Sequence, residues 1–100
     1  MSDFATKVVL NSTSGYSDKH DPLLLSLIDS KVLLFCVVGK DCELWHDIMD
    51  EMFVGNGDVE RDFHMMTTWH NDETLDDVVE FAEIFHIDHG DNESVQIIEI

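Results

Sequence analysis

The chain predicts an α/β domain in which three helices cover a mostly parallel, four-stranded sheet in three layers, ordered βαβαβαβ. Three observations carry this expectation. Short β-prone runs alternate with segments of helical periodicity from Thr6 to Ile100. The run Val32 to Val38, VLLFCVV, is continuously apolar, as expected of a strand covered on both faces. The connections cross over, and the right-handed crossover rule then sets the strands side by side in one direction.

Thr6 to Leu10 reads as the first strand, closed by the turn-rich NSTSGYSDK. Asp21 stands as an N-cap before Pro22, whose missing N–H costs nothing at the first helical position, and a short helix runs to Ile28. Val32 to Val38 is the second strand, ended by Gly39. Asp41 caps the next helix, in which Leu44, Trp45, Ile48, Met49, Met52 and Phe53 form one broad apolar stripe, and Gly55 and Gly57 stop it. Phe63 to Thr68 is the third strand. Within HMMTTWHNDET, Met65 and Met66 belong to the sheet and Thr67 onward leads out of it. Thr74 with Asp77 resembles a capping box, with Asp in the place usual for Glu. It opens a helix with Leu75, Val78, Val79, Ala82 and Phe85 on its buried stripe. After DHGDNES, Val95 to Ile100 is the last strand, and Glu99 marks it as an edge. A flavodoxin-like strand order 2-1-3-4 is expected, in a single domain over 1–100 with 1–5 and 11–19 as flexible stretches.

Charge is the most informative compositional fact. Twenty-two acids against five Lys and Arg give a net charge of −17 at pH 7. Residues 1–40 are balanced, so the whole excess lies in 41–100, where Arg61 is the only Lys or Arg. Binding nucleic acid replaces counterions with Lys and Arg, so this field disfavours direct DNA or RNA contact, and anionic membrane surfaces on the same grounds. A basic protein partner would be attracted and steered. The plainer alternative is a charged surface that only keeps the chain soluble. Cys36 and Cys42 are the only cysteines, and the first 30 residues lack a basic stretch followed by an apolar one. A cytoplasmic protein with reduced thiols is expected, folding alone or as a homodimer.

In open parallel sheets ligands bind beyond the carboxyl ends of the strands, near the reversal of strand order. That rule selects GKDCELWH after the second strand and TTWHNDE after the third. Cys42 and His46, four apart near a helix start, share a face on which an imidazole and the helix terminus would activate a thiol. Asp41 and Glu43 oppose that thiolate. His70 joins from the other loop, with Thr67 and Thr68 as hydroxyl donors and Trp69 as a stacking wall. Alternatively Trp69 and His70 only cover the edge of the core. Lys40 after Gly39 lacks the earlier glycine of a phosphate loop. Among six histidines, His86 and His89 beside Asp88 and Asp91 match no compact zinc spacing, and the acids match no calcium loop. Neither a metal nor a cofactor is expected.

DCELWHDIMD and FHMMTTWHNDETLDDVVEFAEIF resemble an uncharacterised bacterial domain family of small acidic proteins, with Cys-x-x-Trp followed by Met-Thr-Thr-Trp-His, an acidic turn and an amphipathic helix. The resemblance covers Val32 to Ile100 and leaves out the first 30 residues. It implies a stand-alone unit of unknown function and directs interest to Cys42, Trp45, Thr67, Thr68, Trp69 and His70, without implying a reaction. In size and style the chain also resembles the orphan proteins of mobile integron gene cassettes. The leading expectation is a non-enzymatic protein that binds a basic partner through Asp47, Asp50 and Glu51 of the second helix and Asp76, Asp77, Glu80 and Glu83 of the third. An immunity or anti-nuclease role, with carboxylates imitating phosphates, is its sharpest form. The alternative is a small-ligand-binding protein or enzyme using Cys42, His46, Thr67, Thr68 and His70.

Overall fold

The computed structural model describes residues 4–54, 65–87 and 94–100. The predicted alternation is present: β1 (Lys7–Ser12), α1 (Asp21–Asp29), β2 (Leu34–Gly39), α2 (Cys42–Val54), β3 (Met66–His70), α3 (Leu75–Ile84) and β4 (Val95–Glu99), with a 3₁₀ turn at Asp18–His20. Every strand pairing is parallel.

The strand order is β3-β2-β1-β4, which corrects the expected 2-1-3-4. Burial explains the difference. β1 and β2 are almost wholly buried and take the centre, while β3 and β4 are partly exposed and take the edges. The expected order would have put β2, the most apolar strand, at a rim, against its composition. Handedness then sets the layers. Two steps in one direction, β1 to β2 to β3, place α1 and α2 on one face, and the return past both central strands to β4 places α3 on the other.

The core is correspondingly double. Val8, Leu10, Phe35 and Val37 pack with Leu24, Leu27 and Ile28 of α1 and with Cys42, Trp45 and Met49 of α2. Val9, Leu34, Cys36 and Val38 pack with Val78 and Ala82 of α3. This is the period-2 alternation of strands buried on both sides. Register carries it into β3. Thr67 and Trp69 pair with Phe35 and Val37, on the α2 side, whereas Met66, Thr68 and His70 pair with Leu34, Cys36 and Val38, on the α3 side.

Several boundaries move. β3 runs through His70, so Thr67 onward stays in the sheet, because Val37 and Val38 extend the β2 ladder two rungs further. Asn11 and Ser12 likewise belong to β1, paired with Val38 and Gly39. Asp21 is the first residue of α1, and His20 holds the N-cap position. Leu44, expected in the buried stripe, is exposed. Thr74 caps α3 as expected, its hydroxyl accepting the Asp77 N–H at 3.1 Å. Phe63, His64, Gly55, Gly57, Asp88, His89 and Asp91 lie outside the described residues.

One interaction at the amino end of the sheet was not foreseen. Lys7 in β1 is fully buried on the α3 side, where its Nζ donates to the carbonyls of Ala82 at 2.7 Å and Phe85 at 2.6 Å, with Glu83 O at the 3.5 Å limit. The last carbonyls of a helix have no partner within it and carry the negative end of its dipole. Lys7 supplies that partner through the tertiary fold, since no basic residue stands in the last turn of α3 itself. No helix among the described residues is long and apolar enough to cross a membrane.

Candidate functional site

Because the order is 3-2-1-4, strand order reverses between β1 and β4, and the loop after β1 lies at that point. A cavity of about 270 Å³ opens there, lined by the stretch Ser14 to Ser17 with Lys19, His20 and Ile100. The sequence marks residues 11–19 as a turn-rich, flexible stretch and not as a site. Their signal was a Ser- and Gly-rich loop directly after the first strand, but it gained meaning only once the strand order was known.

Local chemistry holds this loop in one shape. Gly39 has φ +101, and a Cβ there would collide with the Ser12 carbonyl; the adjacent Lys40 N–H donates to that same oxygen at 2.7 Å. Gly15 has φ +88, and Asp41 Oδ2 accepts the neighbouring Tyr16 N–H at 3.1 Å. Through this bond Asp41, expected to cap α2, ties the β1 loop to the α2 start. Trp45 Nε1 donates to the buried Ser12 hydroxyl at 2.9 Å, and the Trp45 ring meets Tyr16 edge-on at 5.2 Å and His20 at 5.3 Å. Tyr16 O–H donates to Asp21. That bond to a carboxylate, with burial and the charges of Asp21 and Asp18 adding to it, pushes the Tyr16 phenol up to about 12.

The residues singled out from sequence divide between the two faces. Cys42 and Trp45 are buried in the α1/α2 core, so Trp45 offers no contact surface. His46 is half-buried beside Asp47 Oδ1 at 3.2 Å and Asp50 Oδ2 at 3.7 Å. Thr67 Oγ1 donates to Asp50 at 2.7 Å on the same side, and Trp69 is 41% exposed. His70 is buried on the opposite face against Phe81 of α3, ring centroids 4.9 Å apart. The turns after β2 and β3 meet at a common end of the sheet, but the sheet lies between Cys42 and His70. Among the described residues no hydrogen bond joins Cys42 to either histidine, and no group of three His, Cys, Asp or Glu side chains is placed to hold a metal ion.

The structure does assemble a chain that sequence spacing did not suggest. Glu73 Oε2 lies 2.7 Å from His70 Nδ1, and His70 Nε2 lies 2.8 Å from Thr68 Oγ1. A carboxylate can only accept, so Nδ1 carries the proton and, in the neutral ring, Nε2 accepts from the hydroxyl. Cys36 hydrogen-bonds to the same Thr68. Burial pushes its thiol up to about 11, opposed more weakly by that bond and by the Lys7 charge. Cys36 and Cys42 are both free and lie in different core clusters, so they cannot pair with each other.

The acidic residues are likewise split. Asp47, Asp50 and Glu51 are exposed on α2, and Asp76, Asp77, Glu80 and Glu83 on α3, in layers on opposite sides of the sheet. At the edge strand β3, Asp50 of α2 bonds to Thr67 on one face and Glu73, in the turn before α3, bonds to His70 on the other. α2 packs on β3, whereas α3 lies mainly over β2, β1 and β4.

The chain belongs to the family described as Domain of unknown function (DUF7684), whose model matches residues 2–100 and so includes the amino-terminal region that the resemblance had left out. No curated protein matches it. No solved structure matches it either.

Proposed function

We propose that this domain is a non-enzymatic interaction module that binds a basic protein partner along the β3 edge and the acidic surface of α2 beside it. The observation that carries the reading is an edge strand with no further strand beside it among the described residues, exposing Met66 and Trp69, each 41% accessible, with Asp50 on one face and Glu73 on the other. Exposed aromatics anchor interfaces, and surrounding charge sets the sign and rate of encounter. Direct nucleic-acid or membrane binding stays disfavoured by the −17 charge. Two copies meeting through this edge would bring like-charged rows together, so a basic partner fits it better than a homodimer. The sharp form is an immunity or anti-nuclease protein in a bacterial cytoplasm, carried on a gene cassette, with carboxylates occupying the places of phosphates.

A pull-down followed by reconstitution with the purified partner tests this. The partner should be basic, its affinity should fall steeply with salt, and Asp47→Asn/Asp50→Asn/Glu51→Gln should weaken it by about tenfold. Salt-insensitive binding, or full affinity in the triple variant, overturns the reading.

A second reading is favoured by the Glu73–His70–Thr68 chain, which has the acid–imidazole–hydroxyl order of an acyl-transfer site. The Thr68 oxygen would add to an ester's acyl carbon as its proton passes to His70 Nε2, and the ester C–O bond would then break with the leaving oxygen taking that proton. Water activated by the same imidazole would cleave the acyl-threonine to acid and free hydroxyl. Hydrolysis of p-nitrophenyl acetate that vanishes in Thr68→Val supports it; a rate equal to wild type in that variant ends it.

A further inference from the structure

We infer that the cavity at the β1/β4 switch point binds a small organic anion, a carboxylate or phosphate group joined to a flat apolar body. This is independent of the acidic interface. The chain has 22 acids in 100 residues, yet none lines the cavity. Its wall instead carries Lys19 and His20. Among the described residues no carboxylate pairs with the Lys19 ammonium, and His20 makes a ring contact with Trp45, whereas His46 and His70 both sit on carboxylates. Hydroxyls of Ser14 and Ser17 stand beside them. In a protein of this charge, a pocket whose positive and donor groups remain uncommitted is placed to receive negative oxygens.

Of the nearby acids, Asp21 accepts from the Tyr16 hydroxyl and Asp41 from the Tyr16 N–H, so both hold the wall, while Asp18 on the 3₁₀ turn is exposed and its charge also reaches Tyr16. The Tyr16 ring and the Ile100 side chain supply an apolar surface for the rest of the ligand, the Ile100 main-chain oxygen being taken by the Thr13 and Ser14 N–H groups and the Thr13 hydroxyl. Gly15 keeps the rim low, since a Cβ there would lie 2.6 Å from Asp41 Oδ2. The wall is therefore built before the ligand arrives, which lowers the ordering cost of binding. A volume near 270 Å³ suits a single ring with one anionic group and is small for a dinucleotide.

Titration of the labelled protein with phenyl phosphate, benzoate and inorganic phosphate tests this by NMR, with the two indole N–H signals as reporters. Trp45 packs on Tyr16 and His20 at the site, and Trp69 lies on β3, away from it. Phenyl phosphate or benzoate should saturate with a Kd of about 0.1–1 mM, shifting Trp45 and sparing Trp69. Whichever binds tighter names the head group. Inorganic phosphate should bind about tenfold more weakly, for want of the apolar body, and Lys19→Gln, at an exposed position, should weaken the aromatic anion by about tenfold. No saturation by about 10 mM, equal affinity for inorganic phosphate, unchanged affinity in Lys19→Gln, or shifts centred on Trp69 would each overturn the assignment.

Discussion

Replacing Lys7 by methionine should destabilise the fold by roughly 2–4 kcal/mol. The substitution keeps the length of the buried side chain and removes its donors. Two of the three contacts are short, 2.7 Å to Ala82 O and 2.6 Å to Phe85 O, and the third at 3.5 Å adds little. Charge-assisted hydrogen bonds of this kind are worth about 1.5–3 kcal/mol each, and losing them leaves helix-terminal carbonyls under-satisfied. Against that, methionine no longer requires an ammonium to be taken out of water, which returns part of the loss. For a domain of 100 residues the balance corresponds to a fall in Tm of about 10 to 20 °C. Urea denaturation followed by circular dichroism would measure it, with an unchanged m-value showing that the native state stays compact. Hydrogen exchange should locate the damage at the end of α3, including the Phe85 N–H bonded to Phe81 O. If Lys7→Met is as stable as the parent, the ammonium contributes nothing net to the end of α3, and the tertiary capping argument fails.

The alkaline limb of stability follows from Cys36 and Tyr16, whose folded values rise from 9.0 to about 11 and from 10.0 to about 12. Both groups hold their protons more tightly when folded, so their contribution is complete below about pH 9 and is lost as pH rises through about 11 to 12. Tyr16→Phe and Cys36→Ala should each flatten that limb in a pH series of urea melts, and a limb of unchanged slope in both would contradict the assignment. Gly39→Ala should destabilise by about 1–3 kcal/mol or prevent folding, because φ +101 is left-handed and the new Cβ meets the Ser12 carbonyl; thermal melts read this directly. Ser12→Ala should cost about 1–3 kcal/mol by leaving the buried Trp45 Nε1–H without its acceptor, whereas an equal melting temperature would mean that water takes the hydroxyl's place.

The extent to which the molecule was legible beforehand differs with the range of the interaction. Thr74 could be read as a cap because its partner, Asp77 N, is three residues away. The stripe of α3 was visible because its spacing is written along the helix itself. The end of β3 was misplaced because whether Trp69 and His70 stay in the sheet depends on Val37 and Val38, more than thirty residues earlier. His70 was matched to Cys42 by loop position alone. Its actual partners, Glu73, Thr68 and Phe81, follow from which face of the sheet it occupies.

Sequence alone thus determined the alternation of strands and helices, the parallel direction, the buried character of the second strand and the acidic second part. All of these are recorded in the period and chemistry of neighbouring residues. Only the tertiary structure decided that β4 lies beside β1, that the cavity therefore opens at the Ser14 to Ser17 loop, that Lys7 ends α3, and that the two rows of acids lie on opposite sides of the sheet. The physical reason is that local pattern specifies which face of an element is apolar. Which strands become neighbours depends on competition among buried surfaces far apart in the chain, where β1 and β2 together displaced the half-polar β3 and β4 to the rims.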